Sequence, residues 1–181
     1  MNIALIGMMG TMKTSVGKAL AELTGMAFAD SDDEFVREEG KSIADVFAAK
    51  GEEYFRERES GIIKRLAAGD NKVISCGGGV PLRRENVAAL RATSVVVLLT
   101  ATPERILERT SGDSSRPLLS GGGLDRIKSL CAARETFYKE AADFEIDTTD
   151  LVPGEVSRLI VRKCTMHNAK CAIADKSRKD K

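Results

Sequence analysis

Lys13 and Thr14 close the run Gly7-Met8-Met9-Gly10-Thr11-Met12-Lys13-Thr14, which follows the short apolar stretch Ile3-Ala4-Leu5-Ile6 and leads into a helical pattern. A strand, a glycine-bearing turn, then lysine and a hydroxyl at a helix start is the order of a phosphate-binding loop. In that reading, backbone N–H groups of residues 7–14 point at phosphate oxygens above the positive end of a helix. Lys13 reaches the outer phosphates, and the Thr14 hydroxyl faces magnesium. The motif asks for a second glycine immediately before the lysine, and Met12 stands there instead. A tight turn that merely packs the first helix, with Lys13 solvated, is the competing reading, so other residues must decide.

Two more groups carry chemistry. Asp30-Ser31-Asp32-Asp33-Glu34 and Cys76-Gly77-Gly78-Gly79-Val80-Pro81 each come directly after an apolar run. Magnesium prefers few direct protein ligands besides substrate phosphates, so Asp30 suits a magnesium-bound water. Asp32, two residues on, can face a substrate hydroxyl and accept its proton or orient its oxygen during phosphoryl transfer. Both aspartates would also serve as plain helix caps. The three glycines can bring bare backbone against a ligand, or simply turn the chain.

The elements that must position these residues alternate between β-branched runs and amphipathic stretches, which predicts an α/β fold with a parallel sheet covered on both faces. Strands are expected at Asn2 to Ile6, Met26 to Asp30, Lys72 to Ser75, Ser94 to Thr100 and Asp143 to Asp147. Helices are expected at about Lys13 to Thr24, stopped by Gly25, at about Glu52 to Ala68, stopped by Gly69, and after the cap Thr102-Pro103. Thr110 to Gly123 follows neither period and reads as a mobile loop. In such sheets ligands gather beyond the carboxyl ends of the strands, where the phosphate loop, Asp30, Asp32 and the glycine run all fall.

At 181 residues the chain suits one domain with a substantial core. A formal net charge of +1 supplies no global field for nucleic acid or anionic membrane, so the expected partners are small molecules. No apolar run is long enough for a bilayer and the N-terminus lacks the flank of a signal peptide, so the expected location is cytoplasmic. A monomer is the default expectation. The four cysteines, at positions 76, 131, 164 and 171, lack framework spacing and read as reduced thiols.

Taken together these residues resemble the shikimate kinase family, of the nucleoside-monophosphate-kinase-like P-loop fold. The resemblance runs from about Asn2 to Val161 and rests on motifs met in order. These are the phosphate loop, Asp30-Ser31-Asp32, Phe55-Arg56-Glu57-Arg58-Glu59, Gly77-Gly78-Gly79, Arg116-Pro117-Leu118-Leu119, and Arg134 ahead of Tyr138. It implies transfer of the γ-phosphoryl group of ATP to the 3-hydroxyl of shikimate, a step towards aromatic amino acids, with magnesium as cofactor. It also implies a three-layer fold with a five-stranded parallel sheet of order 2-3-1-4-5 and a closing lid at about 110–123. By the same resemblance Arg56 and Arg134 hold the shikimate carboxylate, Asp32 binds the ring hydroxyls, and Gly78 and Gly79 line that pocket. Arg116 becomes the lid arginine on the transferring phosphate, and Arg109 and Pro153 sandwich the adenine. Paired N–H donors suit a planar carboxylate, and Glu59, three residues from Arg56, can brace it on a helix. Arg58 reads as a surface ion pair.

Two departures follow. A side chain at Met12 costs about 1–2 kcal/mol if the position needs a left-handed backbone, and about tenfold in ATP affinity follows from 1.4 kcal/mol. The tail 164–181 is basic and polar beyond the family's final helix and is expected to be disordered, leaving a single domain over residues 1–163. Cys164-x-x-His167-x-x-x-Cys171 is too loosely spaced to argue for a metal. Two rivals to the kinase reading remain: a shikimate-binding paralogue silenced by Met12, and a related small-molecule kinase with another acceptor.

Overall fold

The computed structural model describes the backbone of residues 1–111 and 123–179, with side chains described as far as residue 166. Five strands form one parallel sheet: β1 (Asn2–Ile6), β2 (Ala27–Asp30), β3 (Lys72–Ser75), β4 (Ser94–Thr100) and β5 (Phe144–Asp147). Their order is β2-β3-β1-β4-β5. Ile3 of the central β1 pairs with Val73 on one side and Val95 on the other.

The two-residue alternation of the strands divides the core in two. Ala4, Ile6, Ile74, Val96 and Leu98 point to one face, and Ile3, Leu5, Val73, Val95, Val97 and Leu99 to the other. Helices α2 (Ser31–Glu39), α3 (Ile43–Ala68), α4 (Arg84–Thr93), α5 (Pro103–Thr110) and α6 (Gly123–Ala141) supply Phe35, Phe55, Leu90, Ile106 and Tyr138 to the first face. Helices α1 (Lys13–Thr24) and α7 (Pro153–Lys179) supply Val16, Leu20, Val156 and Ile160 to the second. A sheet buried on both sides explains why its strands read as continuous apolar runs.

Three expected boundaries move, each for a local reason. β5 begins at Phe144 because Asp143 bonds Val96 with both its backbone N–H and its carboxylate, a side chain taking a ladder position. β2 begins at Ala27, one residue after Met26 and two after the left-handed Gly25 that ends α1. The helix expected from Glu52 extends back to Ile43, capped by Ser42, and is broken at Gly51 (φ 80°, ψ 173°). At the C-terminus, α7 runs to Lys179 through the stretch expected to be a disordered tail, which holds no glycine or proline after Gly154 to stop it. Cys164 belongs to that helix and is buried in the second core. His167, Cys171 and the residues of the tail beyond them lie outside the described side chains. Among the described residues no helix is long and apolar enough to cross a membrane.

Candidate active site

Every strand-end group singled out above, where described, lies along the carboxyl edge of the sheet. The loop between β1 and α1 is closed from within: Thr11 donates to the Met8 carbonyl through its backbone N–H (3.4 Å) and its hydroxyl (2.7 Å). Lys13 folds back across it, its Nζ 2.9 Å from the carbonyls of both Gly7 and Met8. Arg109 of α5 ties the loop to the far side, donating to the Gly10 carbonyl (3.2 Å) and to the Thr148 carbonyl (2.7 Å) just after β5. Burial pulls the Arg109 guanidinium below its ordinary value, with nearby Arg105 adding to the effect. Pro153 opens α7 a few residues beyond Thr148.

Met12 adopts the left-handed conformation that its position in the motif demands, at φ 64° and ψ 21°. Its carbonyl accepts the Val16 N–H at 2.8 Å, so α1 starts normally above it. The half-buried side chain packs against the second core, away from the cavity described below. The loop therefore keeps a glycine-like path around a non-glycine residue.

Asp30 ends β2, caps α2 and serves the loop at once. Its Oδ1 accepts the Asp32 N–H at 3.0 Å, while its Oδ2 accepts the Thr14 hydroxyl at 2.9 Å. The capping and functional readings of Asp30 are thus compatible: one oxygen starts a helix and the other faces the phosphate loop. Only 9% of Asp30 is exposed. A hydroxyl and a carboxylate side by side at the mouth of a phosphate loop suit a magnesium ion held directly by the former and through water by the latter.

Beside this pair opens a cavity of about 400 Å³, lined by Lys13, Thr14, Asp30, Asp32, Arg56, Gly78, Gly79 and Arg134 among others. Arg56 projects from α3, its Nη1 2.8 Å from Glu59 Oε2 one turn on and its guanidinium over the Phe55 ring. Glu59 is 3% exposed, and burial raises its carboxyl despite the opposing pull of Arg56, Arg83 and Arg134. Arg58, by contrast, pairs with Glu38 and Glu39 on the α2 side, the surface role expected of it. The glycines are needed for contact: a Cβ on Gly79 would lie 2.0 Å from Arg56 Nη1, and one on Gly77 2.6 Å from Asp32 Oδ1. The Gly77 N–H is held by the buried Ser31 hydroxyl at 2.8 Å.

Lys13, Thr14, Asp30, Asp32, Arg56, Gly78, Gly79 and Arg134 thus share one cavity, and Arg109 bonds the loop that floors it. Arg116 falls in 112–122, outside the described residues, as does most of the expected lid. Met9 of the loop lines the cavity too, as do Asp33, Ile43, Phe55, Ser75 and Cys76, to which the sequence reading gave no role. Phe55 had a signal, since it is an apolar position of the expected helix, but periodicity shows only that such a residue is inward, not that it faces a ligand.

Comparisons with known proteins agree with the fold. A family model described as shikimate kinase matches residues 9–165. The chain is 50% identical over 151 residues to a shikimate kinase of Symbiobacterium thermophilum, covering 82% of this chain and 87% of that protein. It is 42% identical over 170 residues to a shikimate kinase of Caldicellulosiruptor bescii, covering 93% and 96%. The solved shikimate kinase of Acinetobacter baumannii in complex with shikimate superposes with a TM-score of 0.88 at 34% identity, covering 92% of this chain and 93% of that one. With its sheet order, its strand-end chemistry and this similarity along nearly the whole chain, the protein belongs to the shikimate kinase family.

Proposed function

We propose that this chain seats shikimate in the 400 Å³ cavity and passes to its 3-hydroxyl the γ-phosphoryl group of ATP held on the loop of residues 7–14. The observation that carries the reading is the meeting of two guanidinium groups, Arg56 and Arg134, and one carboxylate, Asp32, in the same cavity as Lys13 and Thr14. A planar carboxylate answers the arginines, a ring hydroxyl answers Asp32, and a polyphosphate answers the loop. In the transfer, the 3-oxygen forms the new bond to phosphorus as the bond to the β–γ bridging oxygen breaks. ADP leaves, and the hydroxyl proton goes to Asp32 or on to solvent. Lys13 draws charge from the outer phosphates, and Arg116 adds to this from the lid.

Thr14 and Asp30 are the residues that would hold magnesium, the first through its hydroxyl and the second through water. When bound, the ion neutralises the phosphate oxygens between which charge shifts. Arg109 and Pro153 flank the adenine in this account. The protein works as a cytoplasmic monomer, and its partners are the two substrates.

The carboxylate assignment is tested by the steady-state kinetics of Arg56→Ala. Losing one charge-assisted contact raises the KM for shikimate roughly 10- to 100-fold with the KM for ATP little changed. An unaltered KM for shikimate would assign the pocket to an acceptor without a carboxylate.

A further inference from the structure

We infer that Tyr138 is a positioning residue for the acceptor carboxylate, its hydroxyl fixing the Gly78–Gly79 peptide between the guanidinium groups of Arg56 and Arg134. The inference rests on the proposed function, in which those two arginines grip shikimate.

Tyr138 lies one helical turn beyond Arg134 on α6, so both side chains leave the same helix face. Its hydroxyl donates to the Gly78 carbonyl at 2.7 Å and touches the Met8 sulfur at 3.8 Å, the distance at which Arg134 Nη1 meets the same sulfur. The phosphate loop, the glycine run and the second arginine therefore meet at one phenol. Tyr138 is 5% exposed, and burial raises its hydroxyl, so it is a neutral donor at working pH.

The carbonyl it holds orients more than itself. In a trans peptide the Gly79 N–H points opposite to the Gly78 carbonyl, so a bond on the oxygen fixes the plane of both residues. A Cβ on Gly78 would lie 3.7 Å from Arg134 Nη1, and one on Gly79 would lie 2.0 Å from Arg56 Nη1. The peptide is thus a spacer between the two cations, whose separation must match one carboxylate. Ser31 pins the start of the run through the Gly77 N–H, and Tyr138 pins its middle. A half-buried carbonyl left without this donor would seek another arrangement.

The environment of the ring makes the test clean. A second cavity, of about 290 Å³ and lined by Leu98, Leu99, Ile106 and Cys131 among others, also has Tyr138 in its wall. A phenylalanine ring keeps that apolar contact, so Tyr138→Phe removes only what the hydroxyl does: its bond to the Gly78 carbonyl and its contacts with the Met8 sulfur and Arg134.

The experiment is steady-state kinetics of the full chain carrying Tyr138→Phe, Arg134→Ala or both, with thermal melts alongside. For Tyr138→Phe the expected result is a rise of roughly 2- to 10-fold in the KM for shikimate, with kcat and the KM for ATP held within about twofold. The double variant is expected to show less than the product of the single effects, since both changes act on one carboxylate contact. A normal KM for shikimate in Tyr138→Phe, while Arg134→Ala raises it, would overturn the positioning role and leave the proposed function standing. A parallel loss of kcat and both substrate affinities with a lowered Tm would make Tyr138 a packing residue only and equally overturn the inference. If Arg134→Ala itself leaves the KM for shikimate unchanged, the reading beneath the inference falls.

Discussion

Met12 and Glu59 show how a single residue sets the working conditions of this site. The left-handed backbone at Met12 costs a residue with a side chain about 1–2 kcal/mol relative to glycine, and the phosphate-ready loop holds that conformation. If nucleotide must draw the loop into this form, the cost appears as weakened binding. Met12→Gly is expected to lower the KM for ATP severalfold, up to about tenfold. An unchanged KM would mean that the packing of Met12 on the second core already holds the loop in place. Glu59 is tied to Arg56, with Arg83 and Arg134 acting on it and Asp32 across Gly77. Burial raises its pKa, so the native state takes up its proton before the unfolded chain does. Its contribution to stability is therefore greatest below the unfolded value, near 4.5, and is lost as pH rises through the folded value. For function the sign is opposite. As pH falls through the raised value, the carboxylate that braces Arg56 is neutralised, and the KM for shikimate should climb before an ordinary glutamate would titrate. Glu59→Gln should flatten that rise, and an identical pH profile in the variant would remove Glu59 from the grip on the acceptor.

At the scale of elements, α3 is where sequence and structure part most. Glu52 to Ala68 was legible from its period and from Gly69, but the turns before it were not, because Gly51 reads as a breaker. In the fold Gly51 is a kink within a single element, at φ 80° and ψ 173°, with open space where a Cβ would stand. That region is nearly exclusive to glycine, so Gly51→Ala is expected to cost about 1–3 kcal/mol through backbone strain alone, lowering Tm by about 2–4 °C per kcal/mol. An unchanged melt would show that the kink relaxes into continuous helix. The strands were the easier part. β1, β3 and β4 have the expected ends because a doubly covered sheet leaves unbroken apolar runs, whereas β5 starts late because Asp143 makes strand-like bonds with its side chain. Lys13, Asp30 and Asp32 stood out as candidates because chemistry restricts their type, and Arg56 through the family resemblance. Tyr138 carries its hydrogen bond from 60 residues away, which no local pattern reveals.

Over the whole molecule, the parallel sheet brings the ends of β1, β2 and β3 to one edge, so residues far apart in the chain surround a single cavity. The sheet order places β1 between β3 and β4, and the loop after it is gripped from both sides: Thr14 donates to Asp30, while Arg109 bonds Gly10. A kinase needs a phosphate loop facing the acceptor pocket and a protein built only to bind a ring acid does not, so turnover separates the two. Phosphoryl transfer is tested directly by ADP release from Mg-ATP by the purified full chain at millimolar nucleotide, with and without shikimate. A working kinase forms ADP only when shikimate is present, with one shikimate 3-phosphate per ADP. Shikimate binding seen by calorimetry with no ADP formed would contradict this, leaving a protein that keeps its acid pocket and has lost the use of its phosphate loop.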